Sequence, residues 1–152
     1  MKYFLICFAM SLFAGCAIST KIVEEKDNSD LVKSLMKNNF EILNNKGFIS
    51  KKLLKKLNKD KTFNSKYVFA NPDEDANLTD LYYGKMPNTL IVELGKFDNL
   101  VYIIYDKGGF VITRNCLIYE ELGRNRFRIY YPHIPPNINN INDLKNHLKN
   151  QI

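Results

Sequence analysis

Two histidines, three cysteines and no apolar run long enough to cross a bilayer narrow the chemistry open to this chain. His133 stands among prolines and His147 falls in a C-terminal amphipathic stretch, a poor inventory for histidine-dependent catalysis. A permanent membrane helix needs about 20 apolar residues, and the longest candidate, 4–13, falls well short. Cys7 and Cys16 belong to the first sixteen residues, so Cys116 is the one thiol left to the body of the chain, and no disulfide framework is built there. Ser34 and Lys37 have the S-x-x-K spacing of penicillin-recognising enzymes, but the S-D-N and K-T-G partners are missing. No internal repeat occurs, and the length suits a single domain able to bury its own core.

What is present begins with Lys2, the apolar run 4–13 and the small pair Ala14-Gly15 before Cys16. A basic start, a short apolar stretch and small residues ahead of a cleavage point describe a secretory signal. Phe13-Ala14-Gly15-Cys16 resembles the lipobox of bacterial lipoproteins, with Phe13 where that family prefers an aliphatic residue. The resemblance implies cleavage after Gly15 and acylation of Cys16, with palmitate-type chains as the membrane anchor. Several buried methylenes at about 0.8 kcal/mol each make such an anchor stable once more than one chain is attached. Ala17, rather than the aspartate linked to inner-membrane retention, implies an outer-membrane lipoprotein facing the periplasm. Without acylation, a Cys16–Cys116 disulfide is the competing expectation. The resulting division is a signal peptide over 1–15, lipidated Cys16 with a polar tether over 16–29, and one domain over 30–152.

The formal net charge is +6, with Lys51, Lys52, Lys55, Lys56, Lys59 and Lys61 in one dense cluster. The periplasm offers no nucleic acid partner, so the cluster reads as a solvated helix face, with contact to anionic lipid or glycan as the alternative. Asp30 is placed to cap a helix carrying Leu31, Leu35, Met36, Phe40 and Leu43, with Gly47 as its stop. Ser50 caps a second, where Leu53, Leu54 and Leu57 face inward and Ile49 staples onto Leu54. A short strand is expected over 67–70, then an acidic loop over 71–80. Four segments, 89–94, 100–105, 110–121 and 126–131, are rich in Ile, Val, Leu and Tyr and are separated by Gly, Asp and Asn turns, the pattern of an antiparallel meander. The segment 100–105 is apolar on both faces and belongs at the centre. Pro132, Pro135 and Pro136 end the sheet, and a last helix capped near Asn142 presents Leu144 and Leu148.

The expected fold class is therefore α+β: two N-terminal helices packed on a curved antiparallel sheet of about four strands, with a C-terminal helix. Over 30–131 this order of elements resembles the cystatin-like, nuclear-transport-factor-like domains. That superfamily includes enzymes, carriers and secreted binding proteins, so the likeness implies a fold and no single activity.

Candidate chemistry is sparse. Cys116 and His133 form a conceivable thiolate–imidazole pair, yet Cys116 lies within a strand and reads as a buried structural thiol. Asp73, Asp75 and Asn77 imitate the opening of a calcium loop, which Leu78 and Gly84 then break. Asp75-Ala76-Asn77-Leu78-Thr79 resembles the extended sequon of bacterial oligosaccharyltransferases and implies Asn77 as a glycan acceptor. Arg126, Arg128 and Tyr130 share one face of the last strand, with Arg114 and Tyr119 on its neighbour, the residue mix enriched at binding hot spots. The leading expectation is a non-enzymatic, lipid-anchored periplasmic protein that binds a protein or cell-envelope partner, inhibitors and immunity proteins against wall-active toxins being examples. No cofactor, metal or nucleic acid is expected. An outer-membrane assembly or maintenance accessory is the alternative, and a Cys/His hydrolase the third reading.

Overall fold

The computed structural model describes residues 22–23, 29–59, 66–80, 86–123 and 125–151. The signal, Cys16 and most of the expected tether lie outside them. Four strands carry the sheet: β4 (Thr89–Phe97), β5 (Leu100–Lys107), β6 (Thr113–Glu121) and β7 (Phe127–Tyr130), successive neighbours pairing antiparallel. Three two-residue strands extend it. β1 (Ile22–Val23) pairs parallel with β7, β2 (Glu41–Ile42) antiparallel with β4, and β3 (Phe69–Ala70) parallel with β4. The α+β class stands, and β1 places Ile22 and Val23 on the sheet rather than in the expected tether.

The helices correct the expected arrangement. α1 (Ser29–Lys37) and α3 (Ile141–Lys149) cover one face of the sheet, and α2 (Lys51–Leu57) covers the other. Leu31, Leu35, Leu144 and Leu148 pack on Tyr102, Ile104, Cys116 and Ile118. Leu53 and Leu57 pack on Ile103, Leu117 and Phe127 from the opposite side. A sheet buried on both faces needs central strands that are apolar at every position, and Leu100 through Tyr105 are all buried. The expectation had the two N-terminal helices packed together on the sheet; here they lie on opposite faces, and the sheet has two cores.

Local chemistry explains the altered boundaries. α1 begins at Ser29, so Asp30 sits in its first turn, where a carboxylate favours the helix dipole, rather than at the cap. The helix stops at Lys37, ten residues before Gly47, because Asn38 turns its side-chain amide back onto the Ser34 carbonyl at 2.9 Å. Phe40 then packs edge-on against Tyr102, and Asn44, at φ 46°, accepts from the Leu94 N–H. Ser50 does precede α2, but its side chain makes no cap bond; its N–H donates to the Tyr119 hydroxyl instead. The cap of α3 is Asn140, whose Oδ1 accepts from the Asn142 and Asp143 amides. A register shift between Ile91 and Glu93 brings Val92 and Glu93 to the same face, where Glu93 accepts from Tyr102 Oη at 2.8 Å and from the Ile141 N–H at 2.6 Å. That carboxylate ties the sheet to the start of α3.

Candidate binding cleft and hairpin tip

β6 is longer than its partner β7, and the mismatch shapes the surface. Ladder pairs run from Glu121 with Phe127 to Ile118 with Tyr130 and stop there. The Leu122 N–H bonds to Arg126 O on the β7 side, whereas the Glu121 N–H bonds to Asn99 O on the β5 side. Alternation then directs the even-numbered amides of β6, those of Glu120, Ile118, Cys116 and Arg114, toward β7. The next ladder partner, opposite Cys116, is residue 132. Pro132 has no N–H to give the Cys116 carbonyl, so the chain leaves the sheet at that position. Ile134 and Ile138 carry it under the α1–α3 face. Along the edge of β6 that β7 abandons lies a cleft of about 550 Å³, with Thr113 to Cys116 on one side and Tyr131 to Ile134 on the other. Tyr67 and Tyr105 form its floor toward α2.

The mouth of this cleft adjoins the β5–β6 turn. Segment 110–112 was expected to begin a strand; instead β6 starts at Thr113, paired with Lys107, and the five residues between form a loop. Gly108 explains the departure. Its N–H donates to Asn88 O at 3.1 Å, and it lies so close to the 71–80 loop that a Cβ would stand 2.5 Å from Leu78 Cα. The chain is thereby pulled off the β6 ladder, leaving Phe110 96% exposed, Val111 73% and Ile112 54%. Three consecutive apolar residues stand in solvent at the end of a well-packed hairpin. This is a local reversal of the buried-apolar rule, and such patches mark interaction sites.

Cys116 and His133 both line the cleft, and among the described residues no hydrogen bond joins the thiol to the imidazole. Cys116 is 2% exposed, backbone included, burial pushes the pKa of its thiol upward, and it packs among Ile104, Ile118 and Ile134. His133 is exposed, and it is its backbone carbonyl that meets His147 Nε2, at 3.0 Å. A thiol held protonated without a base is a poor nucleophile. The tyrosines here are held as neutral phenols: burial raises the pKa of Tyr67 and, more strongly, of Tyr105, which share a hydrogen bond. Lys107 lies over the Tyr67 ring at 4.5 Å, and its own pKa is lowered by burial. The cleft thus offers aromatic surface and little net charge.

The residues singled out from sequence are scattered. Arg126 is exposed and closes the β6–β7 turn through its backbone, its N–H meeting Gly123 O at 2.9 Å. Arg128 is half-buried, 3.4 Å from the Glu120 carboxylate, and Tyr130 packs against the α1–α3 core. Tyr119 is fully buried in the other core, beneath α2. Arg114 is committed to a structural junction, its Nε and Nη2 on the two Asp106 carboxylate oxygens at 2.5 and 3.1 Å and its Nη1 on Ile138 O at 2.7 Å. Arg128 and Tyr130 thus share the face of β7 that looks toward α1 and α3, while Tyr119 lies on the opposite face of the sheet. Asn77 lies in a half-exposed turn in which its Oδ1 accepts from the Thr79 N–H and hydroxyl, at 3.1 and 2.7 Å. In the same loop Glu74 is held by Asn71 and Lys46, whose ammonium lowers its pKa. Lys51, Lys52, Lys55 and Lys59 are exposed on and just beyond α2, and Lys61 lies outside the described residues. Among the described residues no group of His, Cys, Asp or Glu could hold a metal, and no helix is long and apolar enough to cross a membrane.

Sequence reasoning missed the tip and the cleft. Phe110-Val111-Ile112 imitates a strand, and only the pair Gly108-Gly109 ahead of it signals that the ladder is interrupted. The position of Pro132 carries the cleft, but its meaning needs the β6–β7 register. Compared with known proteins, the chain matches no family model, no curated sequence and no solved structure.

Proposed function

We infer that this chain is a lipid-anchored, periplasm-facing binding protein of the outer membrane, without catalytic activity, which engages a protein partner through the Phe110–Ile112 tip and the adjoining cleft. The observation that carries the reading is the nearly complete exposure of Phe110 and Val111 on a hairpin whose base is fixed by Gly108. Burying such side chains in a partner is worth about 1.5–3 kcal/mol each. Exposed ion pairs from the α2 lysines are worth about 0–1 kcal/mol each, so the tip outweighs the basic face as the anchor point. Asp73, Asp75 and Asp80, all exposed, belong to the 71–80 loop whose Leu78 meets Gly108 at the base of the hairpin. Their charge disfavours an anionic bilayer and suits a protein pocket with a basic rim.

The topology supports the same direction. β1 enters beside Phe127, at the end of β6 where Glu121 lies, whereas the tip is at the Thr113 end. Nine strand residues put about 26 Å between them. A chain anchored at Cys16 presents the tip away from its own point of attachment. Asn77, at the base of the hairpin, is the glycan acceptor in this reading.

The test compares the lipidated full chain with Phe110→Ser/Val111→Ser in affinity capture from cell envelopes. Capture of the specific partner should fall at least tenfold while the thermal midpoint stays within a degree or two, since both side chains are solvent-facing. Undiminished capture sinks the reading. In the same cells, Cys16→Ser should move the protein from the membrane to the soluble periplasmic fraction.

A further inference from the structure

α2 is held in place by its core contacts against its own electrostatics. Ser50 ahead of it makes no side-chain cap bond, and its first turn carries Lys51 and Lys52 and no acid, cations at the end of a helix that favours anions. Lys51 with Lys55, and Lys52 with Lys56, are like charges one turn apart, which repel. From Lys46 to Lys59 the chain has no Asp or Glu at all. At 100° per residue, Lys51, Lys52, Lys55 and Lys59 fall within an arc of about 100°, opposite the buried Leu53 and Leu57. All four are exposed, and among the described residues no carboxylate pairs with any of them; Lys46, just ahead, is taken by Glu74. Uncompensated charge kept on one face, at the expense of the helix that carries it, points to an anion outside the molecule.

We propose that this face lies on the anionic headgroups of the membrane that holds Cys16, a second attachment beside the acyl chains. The proposal rests on the lipid-anchored reading above and adds how the domain sits on its membrane. Chain length and point of entry favour a bilayer over a soluble polyanion. β1 enters beside Phe127, and Phe127 belongs to the core that α2 covers. Ser50, at the start of α2, donates to the hydroxyl of Tyr119, whose ladder partner Ile129 is two residues from Phe127. A helix with its side chains is about 10–12 Å across, so the outer face of α2 stands about 15 Å from the sheet plane. The stretch from residue 16 to 22 reaches about 20 Å, long enough for α2 to lie on the bilayer and short enough to keep it there. Each lysine close to an anionic surface strengthens binding about fivefold, and four multiply to roughly several hundredfold. Phe48, 49% exposed just ahead of α2, adds an apolar side chain for the interface.

The lipidated full chain, reconstituted in vesicles through its own anchor, supplies the test and an internal control. Reactivity toward an amine-acylating reagent is read lysine by lysine by mass spectrometry, in phosphatidylcholine vesicles with and without about 30% phosphatidylglycerol. The anionic lipid should slow labelling of Lys51, Lys52, Lys55 and Lys59 about fivefold or more, and salt near about 0.5 M should restore it. Lys37 and Lys149, exposed on α1 and α3 across the sheet, should change less than about twofold under the same screening. Equal protection of both faces, or of neither, overturns the proposal. Protection by soluble polyphosphate and not by anionic vesicles also overturns it, assigning the face to a polymer. The variant Lys51→Gln/Lys52→Gln/Lys55→Gln/Lys59→Gln separates this role from a structural one. Its thermal midpoint should rise by about 1–3 °C as repulsion along α2 is relieved, and a fall of several degrees makes the lysines structural and overturns the proposal. Flotation with phosphatidylcholine vesicles, which carry no net charge, reads the acyl anchor by itself. A chain that does not float there overturns the anchor, and flotation with anionic vesicles, lost in the fourfold variant, still upholds the basic face.

Discussion

Arg114 shows how a residue suited to recognition is consumed by structure. Its guanidinium forks onto Asp106 in the neighbouring strand and reaches the Ile138 carbonyl and Asn139 Oδ1 in the segment that leads to α3. The pair is largely shielded, the side chains being 14% and 18% exposed. Removing one partner of a shielded pair leaves the other charge uncompensated, which costs about 3 kcal/mol. Arg114→Ala should therefore lower the stability measured by urea unfolding by about that amount. Arg114→Lys should recover less than half, because a point charge cannot reproduce the two-pronged contact. A loss under about 0.5 kcal/mol would show that the junction is ornamental. From sequence, Arg114 and Asp106 look like unrelated surface charges; only the β5–β6 register sets them opposite one another.

At the scale of elements, what was legible followed periodicity and what was missed followed contacts distant in sequence. The meander, the central position of β5 and the apolar stripes of α1, α2 and α3 are all visible in the spacing of Leu, Ile, Val and Tyr. The same spacing carried α1 too far, because Phe40 falls in phase with Leu35 and Met36 although the backbone there is no longer helical. It also drew 110–112 into a strand. Nothing local announces that Gly108 meets the backbone of Leu78, thirty residues earlier. Gly108→Ala puts a methyl group against main-chain atoms that have no rotamer to yield, and a cost of about 1–3 kcal/mol is expected. Because the base of the hairpin moves, this variant should lose both stability and partner capture, whereas the Phe110→Ser/Val111→Ser variant loses capture alone. Two melting curves and two capture assays separate these outcomes. Helix placement was the larger miss: two-faced burial of β5 and β6 requires cover on both sides, but sequence does not say which helix goes to which.

For the whole molecule, the two cores make folding sensitive to alkali. Tyr67, Tyr102, Tyr105 and Tyr119 have their pKa values raised mainly by burial, Tyr119 to about 12, and the Cys116 thiol moves the same way. In the unfolded chain these groups ionise near pH 8.5 to 10. Above that range the unfolded state holds fewer protons than the folded state, so stability falls as pH rises. The contribution is fully present below about pH 8.5 and is lost as pH climbs toward the folded-state values. Each fully suppressed group adds up to about 1.4 kcal/mol per pH unit to that slope. The urea midpoint should thus hold steady near neutrality and drop steeply above pH 10. Absorbance at 295 nm should show these four tyrosines ionising together with loss of secondary structure. A smooth, non-cooperative tyrosine titration with the fold intact would contradict the burial described for them.

The brevity of β1 matters once force is considered. Among the described residues, Ile22 and Val23 hold the amino-terminal end of the sheet through two residue pairs, while every strand from β4 to β7 is zipped to its neighbour over four or more. In the proposed arrangement, with the anchor at Cys16 and the grip at the far end, a pull between membrane and partner would be drawn across the sheet and meet β1 first. With β1 in place, the stretch from residue 16 to 22 spans at most about 20 Å; with β1 peeled away, the stretch from 16 to 29 spans up to about 45 Å. In that arrangement the β1 pairing would act as a breakaway stitch at the tethered end, about doubling the working distance under strain while the tip keeps its hold.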